Sequence, residues 1–254
     1  MKIKYLFFSI FLICSFYITD RVMVFIDNNS PLMKEIVSLK DKYKVEAVNA
    51  IVKDNTIIPG VNGREINKRK SLIKMEENGS FNENLLIYDI INPVVSINNN
   101  IDKIIIKGNP LKRGVSLILE KNEELEDYLS DNNIKYDILA KLDTNLDDKT
   151  REYINSESLI EKYSDLNALL NKKKINNKIC FLNYSNLNYC QKNKYYLVTY
   201  SLNSFDKYSL ISNIDSGDII LINSYTSIDT LKLVLSEIKK MDLDILYLSD
   251  LIKE

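Results

Sequence analysis

The sequence predicts an α/β chain: an N-terminal transmembrane helix, a small α/β module, and a distorted (β/α) barrel of about seven strands. Two patterns predict this. From Gly114 onward, short apolar runs alternate with helical patterns, the mark of parallel β/α units. At the other end, Lys2 and Lys4 precede one apolar run, Tyr5 to Ile18, closed by Thr19, Asp20 and Arg21. About seven units suit an incomplete barrel, whose site lies at the C-terminal strand ends. A doubly wound open sheet is the alternative arrangement.

The N-terminal run is apolar all round, which separates it from a core helix with a single buried face. About fourteen helical residues span roughly 21 Å, short of a hydrocarbon core of roughly 30 Å. Flanking residues and bilayer thinning close that gap. A cleaved signal peptide is the alternative, although bulky residues follow the run where small ones favour cleavage. The expected division is a signal anchor over 1–21, a small module over 22–110 and a larger domain over 111–254. The chain would be a single-pass protein of the cell membrane with an extracytoplasmic C-terminal domain.

Within the module, strands are expected at Val22–Ile26, Val45–Val52, Leu85–Asp89 and Lys103–Ile106, with helices at Pro31–Leu39 and Asn67–Asn78. Pro59-Gly60 and Asn62-Gly63 are turn chemistry, and Gly79 is a usual helix stop. In the larger domain the strands are Val115–Leu119, Tyr136–Ala140, Lys178–Leu182, Tyr195–Ser201, Asp218–Ile222 and Asp244–Leu248, with a weaker one at Glu152–Ile154. Helices fall at about 122–131, 158–173, 205–213 and 227–241. The last carries Ile228, Leu231, Val234, Leu235, Ile238 and Met241 on one stripe.

Composition narrows the chemistry. The 254 residues include no histidine, which excludes Ser-His-Asp and Cys-His nucleophiles and His-ligated zinc. Any catalysis must use carboxylates, Lys, Tyr or Cys. Ile, Lys and Asn are abundant, so an AT-rich coding bias is the alternative reason for the missing imidazoles. Lys+Arg 34 against Asp+Glu 35 leaves a net charge of −1 without a long charged block, which argues against nucleic-acid binding. Cys180 and Cys190 lie ten apart, close enough for a disulfide in an oxidising exterior, with two buried thiols the other possibility.

The strand ends carry a resemblance. Ser216-Gly-Asp-Ile-Ile-Leu-Ile-Asn223, then a helix and Asp244-Ile-Leu-Tyr-Leu-Ser-Asp-Leu-Ile252, resemble the closing motifs of polysaccharide deacetylases, the NodB-homology family. Leu197-Val-Thr-Tyr-Ser-Leu-Asn-Ser-Phe-Asp206 resembles that family's Val-x-Trp-Ser-Val-Asp-Ser-x-Asp-Trp strand. Gly114-Val-Ser-Leu-Ile-Leu-Glu120 resembles its first strand, and Tyr136-Asp-Ile-Leu-Ala140 sits where it has Ala-Thr-Phe-Phe. The similarity covers about residues 112–254 in the family's order. Ile57-Ile-Pro-Gly-Val-Asn-Gly63 resembles anchored deacetylase-like proteins of low-GC Gram-positive bacteria.

The resemblance implies metal-assisted amide hydrolysis, by an ion held on one Asp and two His with an Asp base and a His acid. Glu120-Lys121 stand where the adjacent aspartates belong. Residues 151–158 offer no imidazole for the two-His strand, and Asn223 stands at the acid His. Cys180-Phe-Leu-Asn-Tyr-Ser185 replaces an Arg-Pro-Pro-Tyr loop, and only Asp206 keeps its type, in a structural place. No cofactor is expected. As alternatives, Glu120, Glu152 and Glu157 could gather around a divalent Ca²⁺ or Mg²⁺, or Glu120 with Asp143 could form a glycosidase-like carboxylate pair. The expected role is a deacetylase-like envelope component without catalysis. Its partners would be the membrane, cell-wall glycan or an envelope protein. Tyr184, Tyr200, Asn203, Asn223 and Tyr225 are the cleft candidates; most other tyrosines are expected to pack in strands.

Overall fold

The computed structural model describes residues 13–15, 17, 30–146, 151–175, 178–182 and 186–254. Most of the expected membrane helix and the whole Val22–Ile26 strand lie outside the described residues. Among those described, no helix is long and apolar enough to cross a membrane.

In chain order the strands are β1 (Ile51–Lys53), β2 (Thr56–Ile58), β3 (Gly63–Ile66), β4 (Tyr88–Ile91), β5 (Ile104–Ile105), β6 (Gly114–Leu119), β7 (Asp137–Ala140), β8 (Glu152–Asn155), β9 (Ile179–Phe181), β10 (Tyr196–Val198), β11 (Leu202–Asn203), β12 (Ile219–Ile222) and β13 (Asp244–Ile245). The helices are α1 (Pro31–Ser38), α2 (Lys40–Tyr43), α3 (Lys68–Asn78), α4 (Glu123–Asp131), α5 (Ile160–Lys172), α6 (Leu187–Lys192), α7 (Lys207–Asn213), α8 (Ile228–Lys240) and α9 (Leu248–Ile252). They form two compact units: described residues up to Ala47 with Asn62–Ile91, and Val48–Val61 with Asn92–Glu254.

The smaller unit is local chemistry made solid. Ser30 accepts the Met33 N–H at the start of α1, and Pro31 takes the first helical place, where no N–H is needed. Asn67 caps α3 in the same way, and Gly79 ends it at φ 73°. Met33 and Ile36 of α1 pack with Leu72 and Met75 of α3 and with Ile66 of β3, which pairs antiparallel with β4. The strand expected at Leu85–Asp89 starts late, because Asn82 accepts the Asn84 N–H and winds Glu83–Leu85 into a 3-10 turn.

The larger unit holds two sheets. One runs β1-β2-β5-β10-β9, parallel apart from the β1–β2 hairpin. The other runs β11-β12-β6-β7-β8, all parallel, with β13 beside the first two residues of β6. The chain itself joins them: the Thr199 N–H reaches Ile105 O in the first, and the Ser201 N–H reaches Ile219 O in the second. The parallel α/β architecture expected from sequence is present, as two sheets. Strands β1, β2 and β5, read from sequence as parts of the 22–110 module, hydrogen-bond instead with the sheet of β9 and β10.

Every residue of β6 is buried, and its side chains alternate between two cores. Val115, Leu117 and Leu119 face a layer that includes Leu125 and Leu129 of α4, Leu166 of α5 and Leu231, Val234 and Ile238 of α8. Ile118 faces the other way, with Ile105, Ile154, Ile179, Phe181, Val198, Ile219 and Leu221, and with Leu248, Leu251 and Ile252 of α9. Gly217 allows the approach to β12: its φ is +90°, and a Cβ there would stand 2.4 Å from Gly108 O.

Two acids end the last strand. The sequence extends it to Leu248, whereas β13 stops at Ile245 and α9 begins at Leu248. The Leu248 N–H donates to Asp137 Oδ2 at 2.9 Å, and Ser249 donates from its hydroxyl to Glu152 Oε1 at 2.6 Å. Carboxylates at a helix start accept N–H groups that have no partner in the helix. Asp137 is fully buried, also accepts from the Ser116 hydroxyl at 2.9 Å, and is paired in register with Glu152. Burial, followed by the nearby Glu152 charge, pushes the Asp137 carboxyl well above the ordinary carboxylate range.

Cys180 of β9 and Cys190 of α6 form a disulfide with Cα atoms 6.2 Å apart, and Cys14 is free. Tyr163 and Leu197 bury the bridge. Burial raises the Tyr163 hydroxyl above its ordinary range.

Two predictions follow from this packing. An acid whose folded pKa is raised contributes stability below the usual carboxylate range, and loses it as pH rises through the raised value. Asp137→Asn keeps both acceptor bonds and offers an amide to Glu152. The variant should therefore lose less stability than the parent as pH rises above the ordinary carboxylate range. Parallel melting-temperature profiles for the two proteins would contradict this. Second, the chain unfolded without reductant should show one reactive thiol, that of Cys14. Cys180→Ser with Cys190→Ser should lower unfolding free energy by about 2–3 kcal/mol. A thiol titration that finds all three cysteines reactive would rule out the bridge.

Candidate functional site

The inward faces of the strands lead to one cleft. On β6 the inward column is Ser116, Ile118 and then Glu120, just past the strand end; on β7 it is Asp137, Leu139 and Lys141; on β8 it is Glu152, Ile154 and Ser156. The C-terminal members of these columns line a cleft of about 460 Å³: Glu120, Leu139, Lys141 and Ser156, with Lys121, Asp143, Thr144, Phe181, Leu182 and Ser224. Its place at the strand C-termini is that of α/β active sites in general.

Hydrogen bonds hold this rim. Glu120 Oε2 accepts the Ser224 N–H at 3.0 Å, and Asn122 Nδ2 donates to Ser224 O at 2.9 Å. Ser156 Oγ donates to Ala140 O, and Thr144 Oγ1 accepts the Lys141 N–H at 2.8 Å. Glu157 is buried, its Oε1 accepting the Leu142 N–H at 2.9 Å. Lys121, Lys141 and Asp143 are exposed and make no ion pair within 4 Å among the described residues.

Of the positions read from sequence, Glu120, Lys121 and Asp143 meet in this cleft. Asn223, at the expected acid position, is turned into the protein and only 4% exposed. Its backbone and side-chain N–H groups both donate to Ser204 Oγ, at 2.9 and 2.7 Å, and its Oδ1 accepts the Tyr225 N–H. Both acceptor sites of Ser204 are thus filled, so its own proton goes to Thr226 Oγ1, 2.6 Å away. Tyr200 is exposed at 37% and stacks on Phe181 with centroids 6.4 Å apart, while Tyr225 is 91% exposed. Asn203 Oδ1 accepts the Phe205 N–H, Asp206 caps α7 through the Ser209 N–H, and Tyr184 lies outside the described residues.

The expected gathering of Glu120, Glu152 and Glu157 does not form. Glu152 starts β8 and holds Ser249 at the far end of the strand, and Glu157 is spent on a backbone N–H. Alternation carries a strand about 3.3 Å per residue, so the two ends of β8 cannot share one ion. No three acids or cysteines stand together as a metal site among the described residues. The cleft's two carboxylates are accompanied by two ammonium groups and no imidazole, a poor donor set for the zinc-type ion that the family resemblance implies.

Sequence reasoning missed Lys141, Thr144, Ser156, Leu182 and Ser224. Each lies one to four residues beyond a strand end, so the signal was positional: the loops just after β7, β8, β9 and β12.

No protein-family model matches the chain. A stretch of 106 residues is 35% identical to the uncharacterized protein YlxY of Bacillus subtilis (strain 168), covering 40% of this chain and 33% of that protein. The match thus spans about a third of that relative. Among solved structures, wild-type BA3943, a CE4 family pseudoenzyme from Bacillus anthracis, aligns with a TM-score of 0.58 at 17% identity, over 89% of this chain and 96% of that one. A mutant of it with restored enzymatic activity aligns at 0.57 and 16%, over 89% and 99%. The chain therefore has the fold of the CE4 polysaccharide deacetylase-like pseudoenzymes.

Proposed function

We propose that this protein is a deacetylase-like envelope component that binds glycan without hydrolysing it. One observation carries the reading. The cleft keeps its place at the strand ends, yet every position where the chemistry needs imidazole or a metal-binding acid holds something else. Lys121 follows Glu120, Ser156 ends the β8 column, and Asn223 is locked in a buried network. A dication in this cleft would face two ammonium groups. The fold of a CE4 pseudoenzyme supports the same reading.

Tyr200 and Tyr225 are the proposed sugar-stacking platforms, since an aromatic face covers the apolar side of a pyranose ring at low entropic cost. The Cys180–Cys190 bridge supports an oxidising, extracytoplasmic location. In this proposal the Tyr5–Ile18 run anchors the protein in the membrane, and the strands of the larger unit are a distorted barrel.

A second reading has one observation in its favour: Glu120 and Asp143 do line the same cleft. A carboxylate there could then act as general base on water in a rewired N-deacetylase. Metal content after zinc loading, together with acetate release from chito-oligosaccharide, separates the two. The proposed function expects no stoichiometric zinc and no acetate, with retention on purified cell-wall glycan that Tyr200→Ala and Tyr225→Ala each weaken severalfold. Acetate release abolished by Glu120→Gln would establish the hydrolase instead. Retention indifferent to both tyrosines would remove the glycan platforms.

A further inference from the structure

The charges of the cleft specify more than its shape does. Four charged side chains line it, yet none pairs with another: among the described residues Lys121 and Lys141 have no carboxylate within 4 Å, and Glu120 faces the Ser224 N–H. The two lysines follow adjacent, hydrogen-bonded strands, β6 and β7, so both ammonium groups serve the same end of the sheet. The hydroxyls add to the donor side. Thr144 Oγ1 already accepts the Lys141 N–H, which leaves its proton to donate outward, and Ser224 Oγ has no protein partner. Two ammonium groups and two free hydroxyls make a donor-rich wall. Asp143 is the one carboxylate there with no N–H on it.

We propose that this cleft takes an acidic saccharide, its carboxylate or phosphate held between Lys121 and Lys141. This deepens the glycan reading and rests on it. Lysine suits the task because its compact charge on a long stem adapts to either anion, where a fixed guanidinium fork would select one geometry. The lysines would place a positive charge where a hydrolase of this fold would need metal-binding acids. Asp143 would oppose the ligand and set an upper limit on its charge.

Titration calorimetry on the full chain tests this with three probes: neutral chitotetraose, a tetragalacturonate and inorganic phosphate. The acidic oligomer should bind about tenfold tighter than the neutral one, with the advantage shrinking as salt shortens the Debye length. Lys121→Gln with Lys141→Gln should erase the difference, and Asp143→Asn should enlarge it. All three side chains are exposed, so folding is not at stake. Equal affinity for the neutral and acidic oligomers would overturn the anion site and leave the glycan reading standing. Lysine-dependent binding of phosphate with no gain from any saccharide would keep the anion site and end the glycan reading. Absence of binding by all three would end both.

Discussion

The central strand β6 is the constraint on which the larger unit rests. Its backbone is claimed by β12 on one side and by β7 and β13 on the other, and all six of its residues are buried. A strand so enclosed cannot slip, because a shift of one residue would exchange its two apolar faces and carry Ser116 out of reach of Asp137. With the register set, Glu120 must emerge on the inward face and Lys121 beside it. The composition of the cleft is therefore a consequence of strand pairing several residues away.

The two ends of the inward columns are polar in different ways. At the start, Ser116, Asp137 and Glu152 form a closed set with the first residues of α9, where burial and the neighbouring Glu152 charge push the Asp137 carboxyl well above the ordinary range. At the other end the charges are open to the cleft and unpaired. Burial accounts for the contrast: Asp137 is fully enclosed, which disfavours its charged form, whereas Lys121 and Lys141 are exposed and keep their hydration.

The positions read from the family resemblance have local roles of their own. Asn223, expected from the resemblance at the place of an acid His, is a structural residue. Its amide is tied to Ser204 and to the Tyr225 backbone, so the loop after β12 is held by neutral hydrogen bonds rather than by a group kept ready for proton transfer. Asp206, expected from the resemblance in a structural place, serves as a helix cap, a role that carboxylates fill in any fold.

Much of the fold was legible in the sequence because it depends on local periodicity. Strands at β6, β7, β8, β9, β10 and β12 and helices α4, α5, α7 and α8 stand within a few residues of their expected places, and so do α1 and α3 with their caps. Short pieces were not legible. The two-residue β11 and six-residue α6 carry too few residues for a period to show, and β13 ends early because acids on other strands take the first N–H groups of α9. Some residue types of the candidate site could likewise be named from the chain: no imidazole, and Glu120 beside Lys121. What only the tertiary structure decided is which carboxylates share a space. Glu120 and Asp143 meet while Glu152 points away, because strand pairing brings distant loops together and separates neighbours on one strand by its full length.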